Sequence, residues 1–571
     1  YMVSSFMLNR RRFLKLSATA LAAASAGCLS GKLPAEKKLP ESKLPSENAW
    51  RFGIIADTQW EADDNGFNPA SCAVEILNAV YAEFIKHNVE FAFHMGDMTD
   101  DGKDPFAVYN RATEKYDVYG PADAMGIVAR YTQRLYNRGI GFFPLRGNHE
   151  NSEICALEFR NFFPQTQNGI HNSTEAQRAA YAVFNPDAKR LPDIKRTGKP
   201  FSMGTNFSSP SDDLKGFSYS FDHKNVRFVI PDIFTLPDGT KRTIRSQQDW
   251  ITDRLKTRET EHAIVLTHKG LLTQRNRDCI FGAETSKTTP GQDEFITSLS
   301  QNGVRYLICG HDHMYDRSHV YTHDGGSAKV TQIIAGSDSS KFYIPRVPSN
   351  DETYSEGRRQ KLISQELFAI SYIIVTVDGE HVTFDYYSSP CYTGDTIVNT
   401  PYLNFSRQDT FGYSLNGRNF LVPYGAEYSV TELTSAGGTT AKILDGINGN
   451  EGKDLSGRRF NVEVCAGFYP KDGATAGDIL TLKGMDYTLG SGFTDIFTLS
   501  MTYDSGSPVL AGLNEKGQWQ NAVDFSSGGV GQFIRGAWKP EYPLGTYGID
   551  TSSKTVWAVI NTNGFFAPVN F

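Results

Sequence analysis

Two histidines separated by one aspartate follow an apolar run in the segment "LICGHDHMYD", residues 307–316. Residues two apart in an extended segment face the same side, so the imidazoles of His311 and His313 are expected to point together. A single histidine in a loop is usually an ordinary polar surface residue, and a pair at this spacing is only suggestive of a shared ligand. Its meaning depends on which other side chains meet it.

Four other apolar, strand-like runs also end in residues with side chains that can bind metals. The runs and the residues that follow them are "FGIIA" before Asp57 and Gln59, "VEFAFHM" before Asp97, "IGFFPLR" before Asn148 and His149, and "HAIVLT" before His268. In layered α/β proteins, ligands bind at the carboxyl ends of the strands. Chance explains one or two such runs but not five, so we expect these residues to share one site.

The donor types favour a site for two metal ions. A catalytic metal ion takes three or four protein ligands, and here two aspartates, one asparagine, one glutamine and four histidines are available. The set is large enough for two ions that share a bridging carboxylate, with one residue left for proton transfer. Two ions about 3.5–4 Å apart are suited to in-line displacement at phosphorus.

The ordered set of motifs resembles the calcineurin-like metallophosphoesterases. Their pattern is D-x-H, G-D, G-N-H-[DE], a lone H and G-H-x-H, and four of the five blocks stand intact here. The resemblance covers about residues 50–395, because "FSYSFDHKNVRFVIPD" is similar to the central hairpin of the family and "QQDWITDRL" to the helix that follows it. It implies an α/β fold, the four-layer α/β/β/α sandwich of this superfamily.

The resemblance also implies a role for each residue. The first metal would be bound by Asp57, Gln59 and His313, the second by Asn148, His268 and His311, with Asp97 bridging both ions. His149 would not bind metal; it would donate a proton to the leaving group as a general acid or orient the phosphate. A metal-bound hydroxide would attack the phosphate directly, without a covalent phosphoenzyme. The two ions would be divalent or of mixed valence, drawn from Mn, Fe and Zn.

Two positions depart from the family pattern. Gln59 stands where the family usually has histidine, and an amide oxygen is a harder and weaker ligand that favours Mn or Fe over Zn. Asp100 stands where the similar purple acid phosphatases need a tyrosine to bind ferric iron, so a tyrosinate–iron site is not expected. We expect the acids Asp100, Asp101 and Asp104 to form a solvated loop.

The amino-terminal segment reads as an export signal. Residues 1–28 combine a basic start, a short apolar stretch and small residues, and Arg10 to Lys15 resemble a twin-arginine motif. Cleavage after Ala26 and lipidation of Cys28 are alternatives. Residues 29–48 repeat K-L-P and read as a semi-rigid linker. We expect an exported protein that is periplasmic, attached to the cell envelope or extracellular, with membrane contact only through a lipid on Cys28.

Composition changes near residue 400 of the 571-residue chain. All twelve histidines lie at or before His381, and the residues beyond 400 alternate short apolar runs with glycine-rich turns. This pattern is typical of antiparallel strands. We therefore expect a metallophosphoesterase domain at 49–395 and a non-catalytic β-sandwich at 400–571.

These observations favour a hydrolase of small-molecule phosphomonoesters or phosphodiesters. The alternative from another class is a non-catalytic surface or binding protein that uses the fold as a scaffold, and Gln59 is the only feature that favours it. A nuclease shares the motifs, but a net charge of −7 and the absence of a basic block after the first fifteen residues do not suit a nucleic-acid partner.

Overall fold

A computed structural model describes residues 46–60, 72–100, 106–110, 114–120, 122–171, 201–283, 289–345, 359–390, 403–423, 431–434, 440–447, 457–485 and 493–571. The predicted export signal at 1–28, with Cys28, and nearly all of the linker at 29–48 lie outside these residues. Among the helices in the described ranges, none has the length and apolarity needed to cross a membrane. The five cysteines in the same ranges are buried, and none of them forms a disulfide bond.

Helices and strands alternate through the first part of the chain. The helices are α1 (Val74–Lys86), α2 (Asp123–Tyr136), α3 (Glu153–Phe162), α4 (Gln165–Asn168), α5 (Ile244–Lys256) and α6 (Thr289–Gln301). The strands are β1 (Trp50–Ile55), β2 (Phe91–His94), β3 (Phe106–Asn110), β4 (Lys115–Tyr119), β5 (Gly141–Pro144), β6 (Ile170–His171), β7 (Phe201–Ser202), β8 (Thr205–Ser208), β9 (Tyr219–His223), β10 (Val226–Ile230), β11 (His262–Leu266), β12 (Asp278–Cys279), β13 (Gly282–Ala283), β14 (Tyr306–Cys309), β15 (Met314–Tyr321), β16 (Lys329–Gly336), β17 (Gln360–Glu366), β18 (Ala369–Asp378), β19 (His381–Pro390) and β20 (Ser406–Ser414).

Two large sheets pack face to face, and helices cover their outer faces. The first sheet has the order β20-β19-β18-β1-β2-β5, and the second has β17-β15-β16-β14-β11-β10-β9-β8 within its nine strands. Aromatic and aliphatic side chains of both sheets fill the space between them. Helices α1, α2 and α3 pack on the first sheet, and α5 and α6 pack on the second. The predicted four-layer α/β/β/α sandwich is confirmed.

Parallel pairing brings the predicted ligand loops to one edge of the two sheets. Strand β2 pairs in parallel with both β1 and β5, and β11 pairs in parallel with both β10 and β14. The carboxyl ends of parallel strands lie at the same edge of a sheet. The residues that follow β1, β2, β5, β11 and β14 therefore converge.

The first sheet continues past the domain boundary predicted at residues 395–400. Strand β20 pairs with β19 along most of its length, with Phe411 opposite Phe384. Both phenylalanines are buried in the core between the two large sheets. The half of the structure that contains the two large sheets thus extends to Ser414.

All but one of the remaining strands form a β-sandwich. The remaining strands are β21 (Arg418–Pro423), β22 (Thr431–Thr434), β23 (Thr440–Ile447), β24 (Gly457–Arg459), β25 (Asn461–Tyr469), β26 (Ile479–Lys483), β27 (Ile496–Thr502), β28 (Val509–Leu513), β29 (Trp519–Asn521), β30 (Gln532–Arg535), β31 (Thr546–Asp550), β32 (Thr555–Ile560) and β33 (Gly564–Val569). Two sheets, β21-β25-β26-β33-β28-β29 and β22-β23-β27-β32-β31-β30, enclose one apolar core. Strand β24 instead pairs with β17 and completes the second sheet of the first half.

A buried ionic network joins the β-sandwich to both large sheets. The guanidinium of Arg317 on β15 donates to Glu463 on β25 at 2.9 Å and to Asp409 on β20 at 3.0 Å. Nε2 of His319 lies 3.2 Å from the other oxygen of Glu463. All four side chains are buried. Charges held out of water are stable only while each keeps its partner, so the network fixes the two halves to each other.

Arg317→Met tests this network. The substitution leaves two carboxylates buried without their cation, and we expect a loss of about 3–5 kcal/mol in the free energy of unfolding, measured by urea titration. The control is Lys86→Met, which removes the half-exposed pair with Glu83 and should cost less than about 1 kcal/mol. An Arg317→Met protein as stable as the control would show that the network does not stabilise the join.

Candidate metal centre

Four residues of the predicted site have left-handed backbone conformations. The φ angles are 51° at Asp57, 51° at Asp97, 73° at His311 and 48° at His313. Side chains other than glycine adopt this region at a cost of about 1–3 kcal/mol, and such residues cluster at functional sites. The conformation turns each chain sharply at the end of its strand and directs the side chain into the space between the sheets.

Two glycines allow the turns to approach each other closely. A Cβ atom on Gly147 would lie 2.1 Å from Oδ1 of Asp97, and one on Gly310 would lie 2.4 Å from Oδ2 of Asp57. Any side chain at either position would therefore displace a carboxylate. The glycines of the G-N-H and G-H-x-H motifs are required for this reason.

The carboxylate of Glu150 fastens the turns after β2 and β5 together. It accepts hydrogen bonds from the backbone amides of Asp97 at 3.0 Å, Met98 at 2.9 Å and Gly147 at 2.8 Å. Burial and the nearby charge of Asp97 raise the pKa of Glu150. In the sequence this residue is only the fourth letter of the G-N-H-[DE] block, and its positioning role was not predicted.

Buried side chains form two clusters that share Asp97. One contains Asp57, Asp97 and His313, and the other contains Asp97, His268 and His311. In each cluster the potential ligand atoms lie within 4.8 Å of one another. Burial raises the pKa of Asp57 well above its usual value, because a carboxylate in this position lacks the solvation of water. Oxygen and imidazole donors of this kind fit Mn, Fe or Zn.

Backbone carbonyls determine which imidazole nitrogen faces each cluster. Nδ1 of His268 donates to the carbonyl of Met95 at 2.7 Å, and Nδ1 of His313 donates to the carbonyl of Lys341 at 3.1 Å. A carbonyl can only accept, so Nδ1 carries a proton in both rings. Nε2 is therefore the nitrogen presented to the clusters, an arrangement typical of metal-binding histidines.

The surroundings shift the pKa values of the His313 and His268 rings in opposite directions. Burial lowers the pKa of His313 to about 3. Burial also opposes a charge on His268, but the adjacent carboxylate of Asp97 outweighs it and raises the pKa of His268 to about 9. Nε2 of His268 lies 3.2 Å from Oδ2 of Asp97 and 3.1 Å from Oδ1 of Asn148. Asn148 therefore lies beside the second cluster.

His149 lies beside the first cluster with its ring fixed from behind. Nδ1 donates to the carbonyl of Asp100 at 2.7 Å, while Nε2 lies 3.4 Å from a terminal atom of the Gln59 amide. The expectation that Asp100 belongs to a solvated loop was wrong. Its side chain is only 15% exposed, because it forms an ion pair with Lys341 and lies against His149. Asp101 and Asp104 lie outside the described residues.

The amide of Gln59 lies between Asp97 and Lys341. One terminal atom is 3.2 Å from Oδ2 of Asp97, and the other is 3.2 Å from Nζ of Lys341. Gln59 is thus close to Asp97, which belongs to both clusters, and its predicted role as a metal ligand stays a prediction. The ammonium of Lys341 was not predicted there, because no motif marks it.

Two further aspartates position the surrounding loops. Asp312, between the two histidines of the G-H-x-H block, accepts from the backbone amides of Gln274, Arg275 and Asn276 at 2.6–3.2 Å. This holds the segment after β11 against the site. Asp338 accepts from the amides of Ala56 and Ser371, and burial raises its pKa to about 8.

All eight residues predicted from the sequence thus lie together between the sheets. Residues 51–315 match the family model described as calcineurin-like phosphoesterase. This stretch is a calcineurin-like phosphoesterase domain. The match supports assignment of the chain to the metal-dependent phosphoester hydrolases. No curated protein sequence matches the chain.

Solved structures give distant similarities. PhoD is 12% identical at a TM-score of 0.37, over 67% of this chain and 72% of that one. Purple acid phosphatase PPD1 from yellow lupin (Lupinus luteus) seeds is 12% identical at 0.36, over 65% and 55%. GAP50, titled the anchor in the inner membrane complex of Plasmodium, is 14% identical at 0.32, over 63% and 89%. Similarities at TM-scores this low carry no inference about function.

Glu150→Gln tests whether the Glu150 carboxylate holds together the turns after β2 and β5. One acceptor oxygen becomes an amine that faces a backbone N–H, which should destabilise the fold by about 1–3 kcal/mol. Misplacement of Asp97 and Asn148 should also weaken Mn²⁺ binding about 10–100-fold, measured by calorimetric titration. The control is Glu153→Gln, an exposed position on α3. Unchanged Mn²⁺ affinity in Glu150→Gln would contradict the positioning role.

Proposed function

We propose that the chain hydrolyses phosphate monoesters or diesters at a centre for two divalent cations. The observation that carries this proposal is the pair of buried clusters with Asp97 in common, at the edge where five strand ends meet. Asp57 and His313 would complete one cation site. Asn148, His268 and His311 would complete the other.

When bound, the cations would activate a water molecule for direct attack on phosphorus and offset the charge of the phosphoryl oxygens. The protein's own residues set the geometry for this. The hydrogen bond that the Asp97 amide donates to Glu150 fixes the turn that carries the shared carboxylate. The carbonyls of Met95 and Lys341 orient the rings of His268 and His313 so that Nε2 faces the clusters. Little rearrangement is then needed when substrate enters.

His149 is the proposed proton donor to the leaving group. Its Nδ1 proton is committed to the carbonyl of Asp100, so Nε2 is the nitrogen that faces the site. Its side chain is 23% exposed, which leaves it accessible to a substrate. A positioned general acid contributes about 100–10,000-fold to a rate.

We further propose that the protein is exported through its first 28 residues and that the β-sandwich serves as a non-catalytic accessory domain. The basic and apolar order of "NRRRFLKLSATALAAASA" supports export, and the lack of histidines after His381 supports a non-catalytic role for the sandwich. Fractionation of cells that express the chain with Arg10 and Arg11 both changed to lysine would test the export route, since a twin-arginine signal should fail in that variant.

The phosphoesterase proposal is tested with p-nitrophenyl phosphate and bis-p-nitrophenyl phosphate. Protein stripped with chelator and reloaded separately with Mn, Fe, Zn or Mg should show metal-dependent turnover, and the preferred ester identifies the substrate class. His149→Ala should lose about 100-fold or more in kcat. The control is His323→Ala, an exposed histidine outside the site.

Absence of turnover with every metal, in protein that is folded and binds two cations, would overturn the proposal. The non-catalytic scaffold would then become the leading function.

A further inference from the structure

A lysine lies against the first cluster, where neither the motifs nor the family match assigns one. Lys341 follows strand β16, and its side chain is only 10% exposed. Its ammonium forms an ion pair with Asp100 and lies 3.2 Å from the amide of Gln59. The ammonium therefore contacts the Asp100 loop that holds His149, and the Gln59 amide connects it to the shared carboxylate of Asp97.

The orientation of the Gln59 amide follows from the chemistry of its two neighbours. An ammonium can only donate a hydrogen bond, and an ionised carboxylate can only accept one. The amide therefore places its oxygen toward Lys341 and its amine toward Oδ2 of Asp97, each at 3.2 Å. If Gln59 bound a metal ion held by Asp97, its oxygen would have to face Asp97. Its amine would then face the ammonium of Lys341, and both groups are hydrogen-bond donors. Lys341 thus competes directly with a metal-ligating role for Gln59.

The backbone of Lys341 is held by the same site. Its carbonyl accepts from Nδ1 of His313 at 3.1 Å and from Oγ of Ser337 at 2.6 Å. The ring of Tyr343 packs on the imidazole of His313 at 4.7 Å between centroids. The ammonium consequently has a defined position relative to the first cluster, as expected for a charge that is preorganised for a ligand.

We infer that Lys341 binds a non-bridging phosphoryl oxygen of the substrate, and that Gln59 orients this lysine instead of binding metal. The inference rests on the proposed phosphoesterase function and deepens it. A monoester presents one more unesterified oxygen than a diester and carries more negative charge near neutral pH. A fixed ammonium at this position therefore favours monoesters.

The first experiment is calorimetric titration of inorganic phosphate into the Mn²⁺-loaded full-length protein. Loss of one charge-assisted hydrogen bond should weaken phosphate binding about tenfold or more in Lys341→Met. Lys341→Arg keeps the charge and should lose less. The matched control is Lys471→Met, which removes an exposed lysine–aspartate pair in the β-sandwich and should bind phosphate like the wild type. Lys341→Gln replaces the methionine variant if that protein does not fold.

The second experiment compares the two nitrophenyl esters. In Lys341→Met, kcat/KM should fall more for the monoester than for the diester, because the extra unesterified oxygen loses its partner. An equal fall for both esters would contradict recognition of the monoester charge. Lys341→Arg should restore part of the difference.

The third experiment separates the two roles of Gln59. As an orienting residue that also bonds to Asp97, Gln59→Met should still bind two Mn²⁺ ions, with an affinity lowered by no more than about 10–100-fold, and should bind phosphate more weakly. Loss of one of the two Mn²⁺ ions from the titration stoichiometry would instead make Gln59 a ligand and overturn its orienting role. Phosphate affinity unchanged in Lys341→Met, while the wild type still binds Mn²⁺ and turns over ester, would overturn the lysine's role alone. A wild type that binds Mn²⁺ without turnover would overturn the phosphoesterase function itself.

Discussion

The buried carboxylate of Glu150 is the contact on which the rest of the centre depends. The turn after β2 carries Asp97 and the turn after β5 carries Asn148. The two turns approach each other because the Glu150 carboxylate accepts from the backbone amides of Asp97 and Gly147. Glu150 and Asp97 are buried, and amides that lost this acceptor would lack a partner, which is costly. Asp97 belongs to both clusters, so its position determines whether there are two cation sites or none.

Buried charged side chains have fixed hydrogen-bonding or ionic partners at two places in the structure. At the centre, carboxylates are held by backbone amides and imidazoles. At the join between the halves, the guanidinium of Arg317 is held by two carboxylates and also lies over the ring of Phe411, 4.2 Å from its centroid. Buried charges with defined partners favour one arrangement over others. The β-sandwich is thus a fixed part of the molecule in the described residues and not a loosely attached module.

The sequence predicts the convergence of the strand ends well, because the motif order and the apolar runs together define parallel strands. In helix α1, the apolar residues Ile76, Val80 and Phe84 are spaced at helical intervals and lie on one buried face. The sequence does not predict the partner of Asp100, since Lys341 lies 241 residues away and neither belongs to a motif that names the other. Side-chain contacts between distant loops depend on the packed fold, and spacing along the chain does not encode them. The pairing of β20 is hidden for a related reason: β20 has an alternating pattern like the strands of the sandwich, yet it pairs with β19.

The range of the family match is shorter than the range of residues needed to complete the two large sheets. The family match ends at Tyr315, inside strand β15, whereas β1 needs β18 as its neighbour over Trp50–Ile54. The second sheet is completed only by β24, at Gly457–Arg459. A fragment cut to the matched region would leave the edges of β1 and of the second sheet uncovered, and exposed strand edges promote aggregation. The range that matches the family and the range that must fold together therefore differ in this chain. A recombinant chain would have to exchange the longer range to keep both sheets complete.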